Sequence, residues 1–278
     1  MHRMAPFGTE LKHWRQARGL SQLELATRAD VSQRHISFLE TGRSRPSSDM
    51  VMHLGRTLDV PPREQNTLLS AAGHAPVFTE TSLDDMVGVR SALDHILNAH
   101  EPYMAVILDR RWNIVASNSA ATSFLSAVFS DVPEWVTPPL NIMRLSLHPD
   151  GLRTHMVGWD ATASSLLRRL ERDAATFPSD TGIRYLLEEV RSYEGVAELD
   201  GLRGEPSPAD LVVPTTYEIL GHTISMFTTI AVIGDAHDLT LAELRIETFW
   251  PSDDASARAW RDVVHPQLPG GARSVAHS

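Results

Sequence analysis

SQLELATRADVSQRHISFLETGRSRP, residues 21–46, decides how the chain is read, because it holds two short capped helices with almost nothing between them. Ser21 stands three positions before Glu24. That is the spacing of a capping box, in which the hydroxyl and the carboxylate each accept a backbone amide that the helix start leaves orphaned. The helix so begun runs through LELATRA to Asp30, and a second cap at Ser32 opens QRHISFLE, which stops at Gly42. About three residues separate the two helices, and so tight a junction makes them cross steeply, as in a helix-turn-helix. Ala26 faces the crossing and is small enough for it. Val31, Ile36 and Leu39 dock the second helix, leaving Gln33, Arg34, His35 and Ser37 pointing outward as a polar, hydrogen-bonding set.

Working outward, Phe7, Leu11 and Trp14 fall at i, i+4 and i+7, one apolar stripe on a helix that ends near Gly19. On the other side a fourth helix runs from Ser48 to Leu58 with Val51, Leu54 and Leu58 inward, and a fifth follows Pro61-Pro62. The expectation is an all-α, five-helix domain over residues 1–75.

Residues 7–72 resemble the XRE family, the lambda-repressor and Cro-like DNA-binding proteins. One departure is visible: the tight turn of that family usually carries glycine where this chain has Asp30, and aspartate tolerates a left-handed backbone better than most residues. The resemblance implies double-stranded DNA as partner and a homodimer on a near-palindromic operator. It also implies roles residue by residue. Gln22 would bond a phosphate at a helix start; Gln33, Arg34, His35 and Ser37 would enter the major groove; Thr41 and Arg43, with Arg45 beside them, would hold the backbone. The family pattern pairs Arg15 with Glu40 as a structural ion pair, not a DNA contact.

Charge agrees with that division. Residues 1–75 carry 10 Lys and Arg against 7 Asp and Glu, whereas the remainder carries 15 against 28, within a net charge of −10. A basic head on an acidic body suits a module that faces a polyanion. Hydrophobic residues at 42% and charged residues at 22% give a chain of 278 residues enough apolar side chain to bury a core. Wholesale disorder is excluded. No apolar run is long enough for a membrane helix, and the start MHRMAPFGTELKHWRQ lacks the apolar segment of a secretory signal, so the expected location is the cytoplasm, away from membranes.

The chain has no cysteine, which removes disulfides, thiolate zinc sites and a cysteine nucleophile. His148 and His155 are seven apart with Pro149 and Gly151 between them, not the helical pair of a zinc site. No GxSxG, GxGxxG or Walker loop is present, and Asp84-Asp85, Glu188-Glu189 and Asp253-Asp254 are adjacent pairs that point apart on any helix. No enzyme, cofactor or metal site is expected.

Residues 73–82, GHAPVFTETS, read as a hinge, and residues 76–100 as linker plus a connecting helix with Leu83, Met86, Leu93, Ile96 and Leu97 on one face. That helix is a linker or a dimer contact. Residues 101–265 read as an α+β domain with helices on one antiparallel sheet, and 266–278 as a disordered tail. YMAVILD and NIVASN form a hairpin leading into the helix SAATSFLSAVF. Two helices follow in LRTHMVGWDATASSLLRRLERDAA, with Leu166, Leu167 and Leu170 inward, and in TGIRYLLEEVRSY. LVVPTTYEI, TISMFTTIAVI and LTLAELRIETFW then read as three closing strands.

LDRRWNIVASNSAATSFL and NIMRLSLHPDGLRTHMVGWDATASSLLRRL resemble the MmyB-type, PAS-like ligand-binding domain that follows an XRE module, over about residues 95–250. The match rests on the hairpin with Asn118 after it, on Asn141 and Arg144, and on Trp159. The last third departs from the family pattern, which usually has an aromatic-rich Leu-Trp segment before the final strands. The resemblance implies a sensor that encloses a small apolar, fatty-acid-like ligand between sheet and helices and changes DNA binding when occupied. Trp159, Tyr217, Met226 and Phe227 are the expected pocket side chains, with Arg144 holding a carboxylate head. The leading expectation is thus a transcriptional repressor with a small-molecule sensor; the alternative is a DNA-binding regulator whose C-terminal domain binds a protein partner.

Overall fold

A computed structural model describes residues 6–129, 133, 135–202, 214–234 and 238–264, so the segment 266–278 lies outside the described residues. The chain divides into two compact units, the first made of Met1–Ser82 with Ala175–Thr181 and Asp235–Ala242, the second of Leu83–Ala174, Gly182–Gly234 and Glu243–Ser278.

The first unit holds α1 (Phe7–Ala17), α2 (Gln22–Arg28), α3 (Gln33–Glu40), α4 (Ser48–Thr57) and α5 (Pro62–Ala71). Both expected caps form. The Ser21 hydroxyl accepts the Glu24 amide while the Glu24 carboxylate accepts the Ser21 amide, and Ser32 accepts the amide of His35. Leu11, Trp14, Leu25, Ile36, Leu39, Val51, Leu54 and Leu58 meet in one core. Asp30 adopts φ 51° and lets the Val31 amide return to the Ala26 carbonyl, so aspartate supplies the left-handed turn where the family usually places glycine. Gly8 matters for a different reason: a Cβ there would lie 2.5 Å from the carbonyl oxygens of Leu39 and Glu40, so its absence lets α1 sit against the end of α3.

The second unit begins with α6 (Val87–Ala99), then β1 (Ala105–Leu108), β2 (Ile114–Ser117), α7 (Ser119–Val128), α8 (Ile142–Leu147), β3 (Met156–Val157), α9 (Trp159–Thr176) and α10 (Thr181–Arg191). It continues with β4 (Thr215–Ile219) and β5 (His222–Val232); after α11 (Leu239–Ala242), in a segment of the first unit, come β6 (Arg245–Pro251) and α12 (Asp254–Val264). Six strands form one antiparallel sheet in the order β2-β1-β6-β5-β4-β3. The last strand in sequence therefore lies inside the sheet, between the opening hairpin and β5. Leu220 and Gly221 both take positive φ, 50° and 79°, and join β4 to β5 by a two-residue turn whose twist suits the hairpin.

Three expectations change. LTLAELRIETFW is not one strand: Asp238 accepts the Thr240 amide and starts the helical turn α11, and strand geometry begins only at Arg245. LVVPTTYEI forms a strand from Thr215, and 211–213 lie outside the described residues. On α6 only Leu93 and Leu97 of the expected apolar face are buried, while Ile96 is 41% exposed.

Two buried asparagines explain why the hairpin and the segment after it hold together. Asn118 caps α7 through the Ala121 amide, accepts the amide of Ala105 on β1 and donates to the Tyr103 carbonyl at 2.7 Å. Asn141 caps α8 through the Met143 amide and donates to the Arg111 carbonyl at 2.8 Å. Each side chain satisfies backbone groups that have no partner in a helix or ladder, which is what buried polar atoms require.

Candidate DNA-reading helix and ligand cavity

On α3, burial of Ile36 and Leu39 turns Gln33 and Arg34 into solvent, with His35 and Ser37 half-buried at the flanks. Phe38, which the sequence reading left unassigned, serves as a platform. The guanidinium carbon of Arg34 lies 5.0 Å from its ring centroid and that of Arg43 lies 6.0 Å away, within the range in which a cation is drawn to an aromatic face. The signal was present as an aromatic four residues after Arg34 on the same helix.

Arg15 and Glu40 form a forked ion pair at 2.6 and 3.1 Å, with side chains only 9% and 3% exposed. Hydrogen bonding to Glu40 raises the pKa of Arg15. The pair reaches further than expected, since the Gln22 side-chain amide donates to the same carboxylate at 2.8 Å. Gln22 is thereby oriented at the start of α2 and keeps one amide hydrogen for another acceptor. The Thr41 hydroxyl donates to the Ser37 carbonyl at 2.7 Å, while Thr41, Arg43 and Arg45 are exposed just past α3.

In the second unit a cavity of about 110 Å³ lies between the inner face of the sheet and the helices. Val106, Ile114, Tyr217 and Phe249 line it from the sheet, Phe124 and Leu125 from α7, Leu145 from α8 and Leu166 from α9. Glu247 and Arg169 are its acidic and basic lining residues. The register pairs Glu247 with Val106 across β1 and β6, so the carboxyl shares the inner, apolar face. Its side chain is 5% exposed, and the Arg169 guanidinium stands at 3.9 Å, outside hydrogen-bond range. Burial raises the pKa of Glu247, against smaller lowering effects from Arg169, Thr228 and Arg245.

Of the five expected pocket residues, Tyr217 lines this cavity. Its buried hydroxyl has a raised pKa, because burial disfavours the phenolate, with the charge of Glu247 adding to it. The other four are not among the lining residues. Met226 is buried and, paired with Thr215, sits on the inner face; Phe227 is the next residue and turns to the other face, opposite Trp250. Trp159 donates its indole N–H to the Ser146 carbonyl at 3.1 Å and carries the Arg153 guanidinium 4.0 Å from its ring centroid. Arg144 forks onto Glu189 at 2.7 and 2.8 Å, and the Tyr193 hydroxyl donates to the same carboxylate. The hydrogen bond between Arg144 and Glu189 raises the pKa of the guanidinium and lowers that of the carboxyl.

Comparison with known proteins bears on both units. Residues 89–262 match the family described as MmyB-like transcription regulator ligand binding domain, which is more than half of the chain. The chain belongs to that family. Residues 11–65 match a helix-turn-helix family, over the helices that carry the exposed α3. RghRB of Bacillus subtilis (strain 168), described as an uncharacterized HTH-type transcriptional regulator, is 30% identical over 124 residues, covering 44% of this chain and 82% of RghRB. This MmyB-like regulator is thus a DNA-binding helix-turn-helix protein with a ligand-binding domain. Among the described residues, no helix is long and apolar enough to cross a membrane.

Proposed function

We propose that the chain is a ligand-responsive, non-enzymatic repressor of the cytoplasm that binds a near-palindromic operator as a homodimer. The observation that carries this reading is the presence in one chain of an exposed polar α3 and an apolar cavity within the region matched to a ligand-binding family. Gln33 is assigned to adenine and Arg34 to guanine in the major groove, with His35 and Ser37 beside them, since these side chains match the donor and acceptor pattern of the base edges. Gln22, Thr41 and Arg43 hold phosphates and fix the register. Two-fold symmetry sets the half-sites about 34 Å apart. The excess of basic over acidic residues in the head supports the polyanion partner.

For the ligand, the cavity volume supports a compact apolar molecule in contact with Tyr217. A carboxylate head on Arg144 has no such support, because Glu189 already occupies the Nε–Nη2 edge of that guanidinium. Native mass spectrometry of the full chain identifies a bound compound by mass, and fluorescence anisotropy then measures operator affinity with and without it. A change of about tenfold or more is expected, since occupancy acts on DNA binding only through a difference in affinity between two states. Equal operator affinity in the empty and fully occupied protein contradicts the reading.

A further inference from the structure

Glu247 occupies a position where an apolar residue would be the stable choice. It sits on β6, an interior strand, facing the cavity beside Val106, with Ile230 opposite on β5. Removing a carboxyl from water is costly unless a close partner compensates, and an ion pair so buried is commonly no better than hydrophobic residues of the same volume. Here the compensation is incomplete: the nearest cation, Arg169, stands at 3.9 Å with its side chain 34% exposed. Arg245, the other cation that influences Glu247, is itself bonded to Asp173 at 2.7 Å. Thr228, also on the cavity wall, hydrogen-bonds the carboxyl, and since a carboxylate has about four acceptor positions, what remains open at Glu247 is further hydrogen-bond acceptance toward the cavity.

Resting on the reading of this cavity as the ligand site, we propose that Glu247 is the polar anchor for an apolar ligand whose head donates hydrogen bonds, an amine or an alcohol, and that a carboxylate head is disfavoured. A donor head completes the bonding that the fold leaves short, and an amine also supplies the missing close positive charge. An anionic head reaching for Arg169 would lie within a few ångströms of Glu247, and two carboxylates that close cannot both stay ionised, so such a head binds only where Glu247 holds its proton. The cavity volume of about 110 Å³ selects a compact body, because an apolar cavity of about 150 Å³ holds one benzene ring.

Four probes that share one phenyl ring separate these statements: toluene, benzyl alcohol, benzylamine and benzoate, titrated calorimetrically into the full chain near neutral pH. The expected order is alcohol and amine tightest, toluene weaker, and benzoate at least about tenfold weaker than the alcohol, the ratio that one charge-assisted hydrogen bond provides. Glu247→Gln should keep the preference for the alcohol and lose the advantage of the amine. Glu247→Leu should abolish both preferences while toluene still binds. Benzoate binding as tightly as the alcohol, or head preferences that survive in Glu247→Leu, overturns the anchor while toluene binding leaves the cavity as a ligand site. Failure of all four probes, toluene included, overturns the ligand-site reading and the anchor with it.

Discussion

In the first unit Gln33 and Arg34, assigned to recognition, stand in water on α3, held by a core of leucines and by a buried ion pair; in the second, Glu247 faces the cavity enclosed, on an interior strand of the sheet. The same chemistry, an acid beside an arginine, therefore does opposite things. Arg15–Glu40 is short, forked and buried, and it ties α1 to α3 and orients Gln22. Arg169–Glu247 is long and unforked, and beyond the Thr228 hydroxyl it leaves acceptor positions of the carboxyl turned toward an apolar space. A satisfied pair reads as architecture, and an unsatisfied one points to a molecule still to arrive.

The comparison is most exposed to mutation at the first pair. Arg15→Met leaves Glu40 buried without its cation and should cost about 3–5 kcal/mol in urea unfolding. Arg144–Glu189, forked but half-exposed, should be far less costly to break, about 1 kcal/mol or less for Arg144→Met once solvent screening is allowed for; equal losses at the two pairs would mean that burial does not set the cost. Gly8→Ala pushes a methyl group against the carbonyls of Leu39 and Glu40 and should cost about 1–3 kcal/mol. A wild-type melting curve for that variant would mean that α1 is not seated on α3 as described.

Protonation sharpens the contrast within the second unit, because two glutamates should respond to pH with opposite sign. Glu247 has its folded pKa raised above the ordinary 4.5, so its contribution is present below that value and is lost as pH rises through the folded value. Glu247→Gln should accordingly gain stability relative to the parent as pH rises above 4.5. For Glu189 the folded pKa is lowered, so its contribution is present above 4.5 and is lost as pH falls through the folded value. Glu189→Gln should be the less stable protein near pH 7, with the deficit shrinking in acid. Thermal unfolding of both variants across pH tests this, and a common sign would refute it. The smallest expected effect is at Arg43, where alanine should lower the salt slope of DNA binding by about one, while Gln33→Ala leaves the slope and relaxes base preference.

The first unit was legible in the sequence because helical period and caps are local: Ser21, Glu24 and Ser32 mark the starts, and Ile36 with Leu39 fixes which face of α3 looks outward. Even the glycine-free turn at Asp30 followed from backbone preference. The sheet and its helices were legible as a class, yet which strand neighbours which was not, since β6 enters between β1 and β5 by a pairing distant in sequence. Without that register the large residues Met226 and Phe227 could not be placed relative to the cavity. Nor did spacing show that Arg144 would meet Glu189, forty-five residues on. Glu247 did leave a trace: in IETFW the acid falls two residues before Phe249, so strand alternation puts a charge on an apolar face.

The most direct test is in vitro selection of duplexes from random DNA by the full chain, repeated with Gln33→Ala. The expected result is an enriched near-palindromic motif with half-sites about 10 base pairs apart centre to centre, losing its preference at one position per half-site in the variant. No enrichment, or a motif that is identical for the parent and the α3 variant, would contradict the assignment of this helix as the reader of the operator.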